Sequence, residues 1–449
     1  MKKKYVRWTL WTIASPFILF IILCILIYLP PIQNFLVDKA AVYASEATGM
    51  NISVGRISLS FPLNLVVTNV DAASPHNDTL LSVRRLQVNV QLLPLLKKQV
   101  EVDGISLQGA TVNSNDLIHG MKLNGTLGEL FISSHGVALD PETAIVNKVL
   151  LKDTDLSLCL NDTAAADTAA SDTTYWKIIL QDIDLQNVSF ALDMPLDSLS
   201  LAASLDNAIL RDGLIDLHKS AYSLQTFRIE NGRVRYDNGK PLAADSLPSG
   251  LDPSHIALTD IGVKLDSLYY GGRNMKAIIS QFVLKERSGV EIVSATGRMV
   301  SNDKVLRVPS LKLETRDSYL ELNAAMDWNA LDFKDEGLVS ARLMADIGKP
   351  DVVRFMGSMD EKFIRKYPSE PLRIRTGIDG DLNKLKLTTL TAELPGALEL
   401  FAKGELTSLT DSLLRGGDIT LQAETKDLKF ISTLAEGIEI PYGTRLEGK

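Results

Sequence analysis

Groups able to do chemistry are sparse in this 449-residue chain. The five histidines, His76, His119, His135, His218 and His255, stand alone. None sits in H-E-x-x-H spacing, which would set two imidazoles on one helix face, and none joins cysteines at zinc-finger intervals. They read as surface or loop groups. Of the two cysteines, Cys24 lies in an apolar run and Cys159 in an alternating segment far along the chain, so neither a disulfide nor a redox pair is expected. No glycine-rich phosphate loop, dinucleotide fingerprint or G-x-S-x-G elbow occurs, and Asp and Glu fall singly in alternating stretches or turns. The expectation is a protein that is not an enzyme, with no catalytic residue, no metal and no cofactor. With 47 Lys and Arg against 55 Asp and Glu, a formal net charge of -8, no nucleic-acid partner is expected either.

One tract has a modification chemistry. Residues 161–174 (NDTAAADTAASDTT) lack large apolar side chains and predict a mobile loop. Thr163, Thr168 and Thr173 each follow an aspartate in a D-[S/T]-x pattern, the acceptor form of some periplasmic O-glycosylation systems. Biased composition alone would also produce it.

The elements that must position any site begin at the N-terminus. Trp8 to Leu29 carries no charged side chain and spans about 33 Å as a helix, which matches a bilayer core. Pro30-Pro31 follows, without the small-residue cleavage site of a signal peptide. Lys2, Lys3, Lys4 and Arg7 precede the segment and hold residues 1–7 in the cytoplasm; Trp8, Trp11 and Tyr28 suit the interfacial zones, and Leu23 lies within the span. The protein is therefore expected in the inner membrane, single-pass, with the bulk of the chain periplasmic. Residues 30–49 form a short amphipathic helix, with Ile32, Phe35, Leu36, Ala40, Tyr43 and Ala47 at helical spacing and Gly49 at the C-cap. That helix either caps the end of a sheet or lies on the outer leaflet.

From residue 50 to 449 the period is two. Leu86, Val88, Val90 and Leu92 alternate with Gln87, Asn89 and Gln91; Leu372 and Ile374 with Arg373 and Arg375; Leu385 and Leu387 with Lys384 and Lys386. Many such strands with short Gly, Asn or Asp punctuation predict a mainly β, repetitive antiparallel sheet, greasy on one face and wet on the other. A recurrent apolar-x-apolar-x-[Gly/Asn/Asp]-x-x-apolar pattern appears as Ile105, Leu107, Gly109, Val112; as Val149, Leu151, Asp153, Leu156; as Ile183, Leu185, Asn187, Phe190; and as Phe227, Ile229, Asn231, Val234. A turn-forming residue at that offset ends one strand and starts another, or bulges it.

Thr48-Gly49, Gly55-Arg56-Ile57, Phe61-Pro62, Leu92-Leu93-Pro94-Leu95-Leu96 and Asp103-Gly104-Ile105-x-Leu107, with the anchor before them, resemble the opening of the AsmA-like superfamily, and within it the TamB family of translocation and assembly modules. The likeness covers roughly the first quarter of the chain. It implies a long U-shaped, groove-like β-sheet with an aliphatic inner surface, crossing the periplasm to an outer-membrane barrel partner (TamA-like). It also implies phospholipid transfer between membranes, insertion of outer-membrane proteins, or both. The chain stops at Leu446-Glu447-Gly448-Lys449 within what reads as another strand, and no barrel-binding C-terminal domain is recognisable, so the β region reads as incomplete.

Three function classes follow. A lipid conduit needs the aliphatic face open, and Leu86, Val88, Val90, Leu92, Ile105 and Leu107 are the candidate lining. A scaffold or chaperone for outer-membrane proteins needs open sheet edges that pair with client strands. An anchored periplasmic enzyme needs a constellation of reactive groups. Exposed Arg84-Arg85 and Lys97-Lys98 are either solvated basic groups or contacts for lipid headgroups.

Overall fold

Aliphatic and β-branched residues at period two favour extended chain, and the computed structural model of the protein is mainly β. It describes residues 39, 41–42, 45–46, 48–60, 64–74, 78–91, 102–114, 120–138, 142–161, 175–239, 250–334, 337–356 and 361–427. The 8–29 segment with its basic and aromatic flanks, Leu92, and Thr163, Thr168 and Thr173 lie outside these. Among the described residues no helix is long and apolar enough to cross a membrane. Those described between 39 and 48 are helical, and Gly49, at φ 69, closes the turn by donating its N–H to the Ser45 carbonyl (2.9 Å). Glycine alone takes that left-handed cap without strain.

The chain divides into two compact units, Met1–Thr174 with Ile178–Leu196, and Tyr175–Lys177 with Asp197–Lys449. In the first, β1 (Asn51–Ser60), β2 (Asn64–Ala73), β3 (Thr79–Val90), β4 (Val102–Asn113), β5 (Met121–Ala138) and β6 (Thr143–Leu160) each pair antiparallel with the next. Strand β7 (Lys177–Met194) is tied to β6 by side chains: Asn187 Nδ2 donates to Asp153 Oδ1 (2.9 Å), and Ser189 Oγ to Asp155 Oδ2 (2.5 Å).

The second unit contains β8 (Leu199–Asp216), β9 (Ala221–Leu224), β10 (Thr226–Asn238) and β11 (His255–Gly271). Strands β9 and β10 share one lane between β8 and β11, interrupted at Gln225, whose N–H still reaches the Arg211 carbonyl (3.1 Å). The meander continues through β12 (Asn274–Glu286), β13 (Glu291–Ser301), β14 (Val305–Thr315), β15 (Tyr319–Asp327), β16 (Leu338–Ile347), β17 (Leu372–Asp381), β18 (Lys384–Leu394), β19 (Leu398–Thr407) and β20 (Gly416–Thr425). Each pairs antiparallel with its successor.

Three short helices interrupt it: α1 (Trp328–Leu331), α2 (Lys349–Met356) and α3 (Glu361–Lys366). They make the only closed apolar clusters found among the described residues. Phe363 and Tyr367 pack on Leu394 and Ala397 at one end of the strands, and Ala330 packs on Val339 and Leu382 at the other. At these strand ends a helix covers the sheet.

Gly109, Asp153, Asn187 and Asn231 all have φ between 49° and 63°. They lie inside continuous strands, so the repeated pattern marks an internal kink and not a strand end. Three further copies share the conformation: Leu65, Val67, Asn69, Ala72; Ala208, Leu210, Asp212, Ile215; and Ile256, Leu258, Asp260, Val263. In the first unit the kinks line up across the strands. Gly55 faces Asn69, Asn69 faces Arg84, Arg84 faces Gly109, Gly109 faces Gly128, and Gly128 faces Asp153, between in-register pairs on either side. The apolar positions change parity across this row, as at Leu107/Ala110 and Leu86/Val83.

Candidate functional site

Cross-strand register converts alternation along each strand into continuous rows across many. In the first unit one row runs Leu59, Leu65, Val88, Ile105, Ile132, Val149, and its neighbour runs Ile57, Val67, Leu86, Leu107, Leu130, Leu151. Five of the candidate lining residues are described: Leu86, Val88, Ile105 and Leu107 stand in the middle of these rows, and Val90 faces Val102 at their edge. Adjacent side chains in such rows lie about 4.5–5.5 Å apart, so each shields its neighbours' flanks. None of the twelve is fully buried, and Ile105 is 36% exposed.

The second unit repeats the arrangement over more strands. Phe227, Leu265, Ile279, Gly297, Leu311, Leu322 and Leu343 make one row, and Ile229, Val263, Phe282, Ala295, Leu313, Leu320 and Ala345 the next. Their fully buried members are alanines, Ala295 and Ala345, whose single methyl group is shaded by larger neighbours; the large side chains remain half-buried. A second protein layer would bury those leucines and phenylalanines too. Among the described residues, burial in the rows is thus mainly lateral.

Some residues between the row members are apolar, as Val66, Phe131, Leu150 and Met344 are, and charged residues on neighbouring strands form cross-strand pairs. Lys312 meets Glu321 (3.9 Å), Arg373 meets Glu393 (3.5 Å), Arg375 meets Asp346 (2.8 Å) and Lys384 meets Glu405 (3.2 Å). Exposed pairs of this kind contribute at most about 1 kcal/mol each.

Reactive groups do not assemble. Among the described residues no group of three or more His, Cys, Asp or Glu could hold a metal. His218 sits in a turn with its ring edge-on to Tyr175 at 5.5 Å. His255 departs from the surface reading, being 9% exposed, and its Nδ1 lies 2.8 Å from Asp252 Oδ2. The hydrogen bonds from His255 and from the Ser254 N–H hold the Asp252 carboxyl below the ordinary range. Asp252 also orders the chain entering β11, so this pair is a staple for the strand. No sequence signal separated it from the other histidines, because its partner is a loop residue at ordinary spacing.

A second buried polar group escaped the sequence reading altogether. Asp351, on α2, is 1% exposed and accepts from Ser318 Oγ (2.6 Å), Thr315 Oγ1 and Arg354 Nη1 (3.1 Å). Arg354 also donates to Asp317 (2.8 Å); although burial works against its charge, the bonds to Asp317 and Asp351 hold its pKa above the usual value. The set pins α2 to the β14–β15 turn.

Fold and site together define a mainly β protein of antiparallel meanders, with half-buried aliphatic rows running across successive strands. The chain matches no known family model and no curated protein.

Proposed function

We propose that this protein moves phospholipids along its half-exposed aliphatic rows, as an AsmA-like, TamB-family protein anchored in the inner membrane and extending into the periplasm. One observation carries the reading: large aliphatic side chains form rows across successive strands while staying half-buried. Acyl chains supply the missing contacts, since each methylene removed from water contributes about 0.8 kcal/mol. The single-span anchor expected at 8–29 would hold one end of the path at the membrane that supplies the lipid. A TamA-like barrel at the outer membrane is the partner that the family resemblance implies, and the reading assigns no catalysis.

The test is a carboxylate in the rows. Val88 faces Leu65 and Ile105. In an open row Val88→Asp keeps its hydration, so β-sheet circular dichroism should persist and the melting temperature should fall by no more than about 4 °C, roughly 1 kcal/mol. Labelling of the full chain by a phospholipid with a photoreactive acyl chain should be lost. In a closed core the same change would bury an unpaired carboxylate at a cost of several kcal/mol. A collapse in melting temperature would therefore refute the conduit. Lipid-free protein that captures unfolded barrel proteins would favour the assembly scaffold instead.

A further inference from the structure

The kinked row of the first unit ends the aliphatic rows on a different chemistry. Arg84 stands there, two residues before Leu86 on β3, and β3 keeps unbroken register from Leu81 to Asn89. The Cα of Arg84 is therefore about 7 Å along the strand from that of Leu86. Its neighbours in the row present little side chain. Gly109 lies directly across, and a Cβ at 109 would come within 3.0 Å of both Cζ and Nε of Arg84. The guanidinium thus lies flat over the bare backbone of Gly109, with Gly128 beyond it. Gly109 has φ 63, which glycine takes without strain, and its missing side chain makes the space.

The charge of Arg84 is uncompensated. Among the described residues it makes no ion pair and no side-chain hydrogen bond, and its residue is exposed. Asn69, opposite it on β2, is exposed and its amide is likewise unengaged. Asp71, two residues further along β2, accepts from Ser82 Oγ (2.6 Å) and does not reach the guanidinium. Kinked rows in the second unit differ. There Arg233 meets Asp206 (3.6 Å), and Lys285 meets Asp260 (2.9 Å). A lone guanidinium with five donors and no side chain at Gly109 make a place for a planar or tetrahedral oxyanion.

We infer that Arg84, with the glycine floor, is a headgroup site for the phosphate of a glycerophospholipid whose acyl chains lie on the Leu86 and Val88 rows. The occupant follows from the two chemistries side by side, a phosphate-binding fork at the end of an aliphatic path. This inference rests on the reading of the rows as a lipid surface and adds the lipid class to it.

Two photoreactive probes separate the claims on the full-length protein in mild detergent: phosphatidylglycerol and diacylglycerol carrying the same labelled acyl chain. Wild type should be labelled by both. Arg84→Gln should lower phosphatidylglycerol labelling about tenfold or more, the loss of a charge-assisted contact, and leave diacylglycerol labelling unchanged. Arg84→Lys should recover part of the loss. Circular dichroism should be unaltered, since the side chain is exposed and holds nothing else. Unchanged phosphatidylglycerol labelling in Arg84→Gln, or an equal fall for both probes, would overturn the headgroup site while leaving the aliphatic path intact. Absence of labelling by either probe in wild type would remove the path itself.

Discussion

Asp351 holds three donors in a site closed to water, so its removal is more consequential than that of any surface carboxylate. Asp351→Ala leaves Ser318, Thr315 and Arg354 with unmet hydrogen bonds, and the expected loss is about 3 kcal/mol in thermal or denaturant unfolding. Asp351→Asn keeps an acceptor and should cost less. Asp252 is a pH-linked counterpart. Its folded pKa is lowered, chiefly by the bond from His255, so its contribution is present above the unfolded carboxylate value and disappears as pH falls through the folded one. Asp252→Asn should therefore be less stable than wild type at neutral pH and match it in acid; melting curves across that range check the convergence. Neither residue was legible in advance. Burial of Asp351 comes from a helix packing on a turn 33 residues away from it in the chain at Ser318, and no local pattern encodes that contact.

Strands were legible because their signal is local. Leu372, Ile374, Leu385 and Leu387 fall on β17 and β18, as their alternation predicts. The kinks were half legible. Gly109, Asp153, Asn187 and Asn231 stood out between strong apolar pairs, whereas Asn69 and Asp212 were masked by the weak apolar signal of Ala72 and Ala208. Helices α2 and α3 were missed because eight and six residues give two turns or fewer, too little for a 3.6-residue period to show. The kinks make a direct prediction. Asn231, at φ 53, donates to Asp206 (3.0 Å). Asn231→Val should destabilise by about 1–2 kcal/mol, because a β-branched residue resists the left-handed region. Asn231→Gly should lose only the hydrogen bond. If valine is tolerated as well as glycine in equilibrium unfolding, the kink is not held by conformation at that position.

At the scale of the whole molecule, placement and topology are open to test. With Lys2, Lys3, Lys4 and Arg7 before one apolar span, a reporter active only in the periplasm and fused after Lys449 should be active. A well-expressed but silent fusion would contradict the orientation. Leu23→Arg should cut membrane recovery, at about 2.5–3.5 kcal/mol for a central charge. Aliphatic rows could be anticipated from composition and period. Whether anything covers them could not, because cover is a property of distant segments. The same nearest-neighbour pairing, from β1 to β6 and from β10 to β20, has a kinetic consequence. Each lane is laid against one made just before it, so ring closures stay short and the entropy lost at each step is small. Such a chain can zip up in the order in which it emerges, hairpin by hairpin, and a break in one place stays local. Unfolding under load should then proceed as a series of small rips and not as one cooperative event.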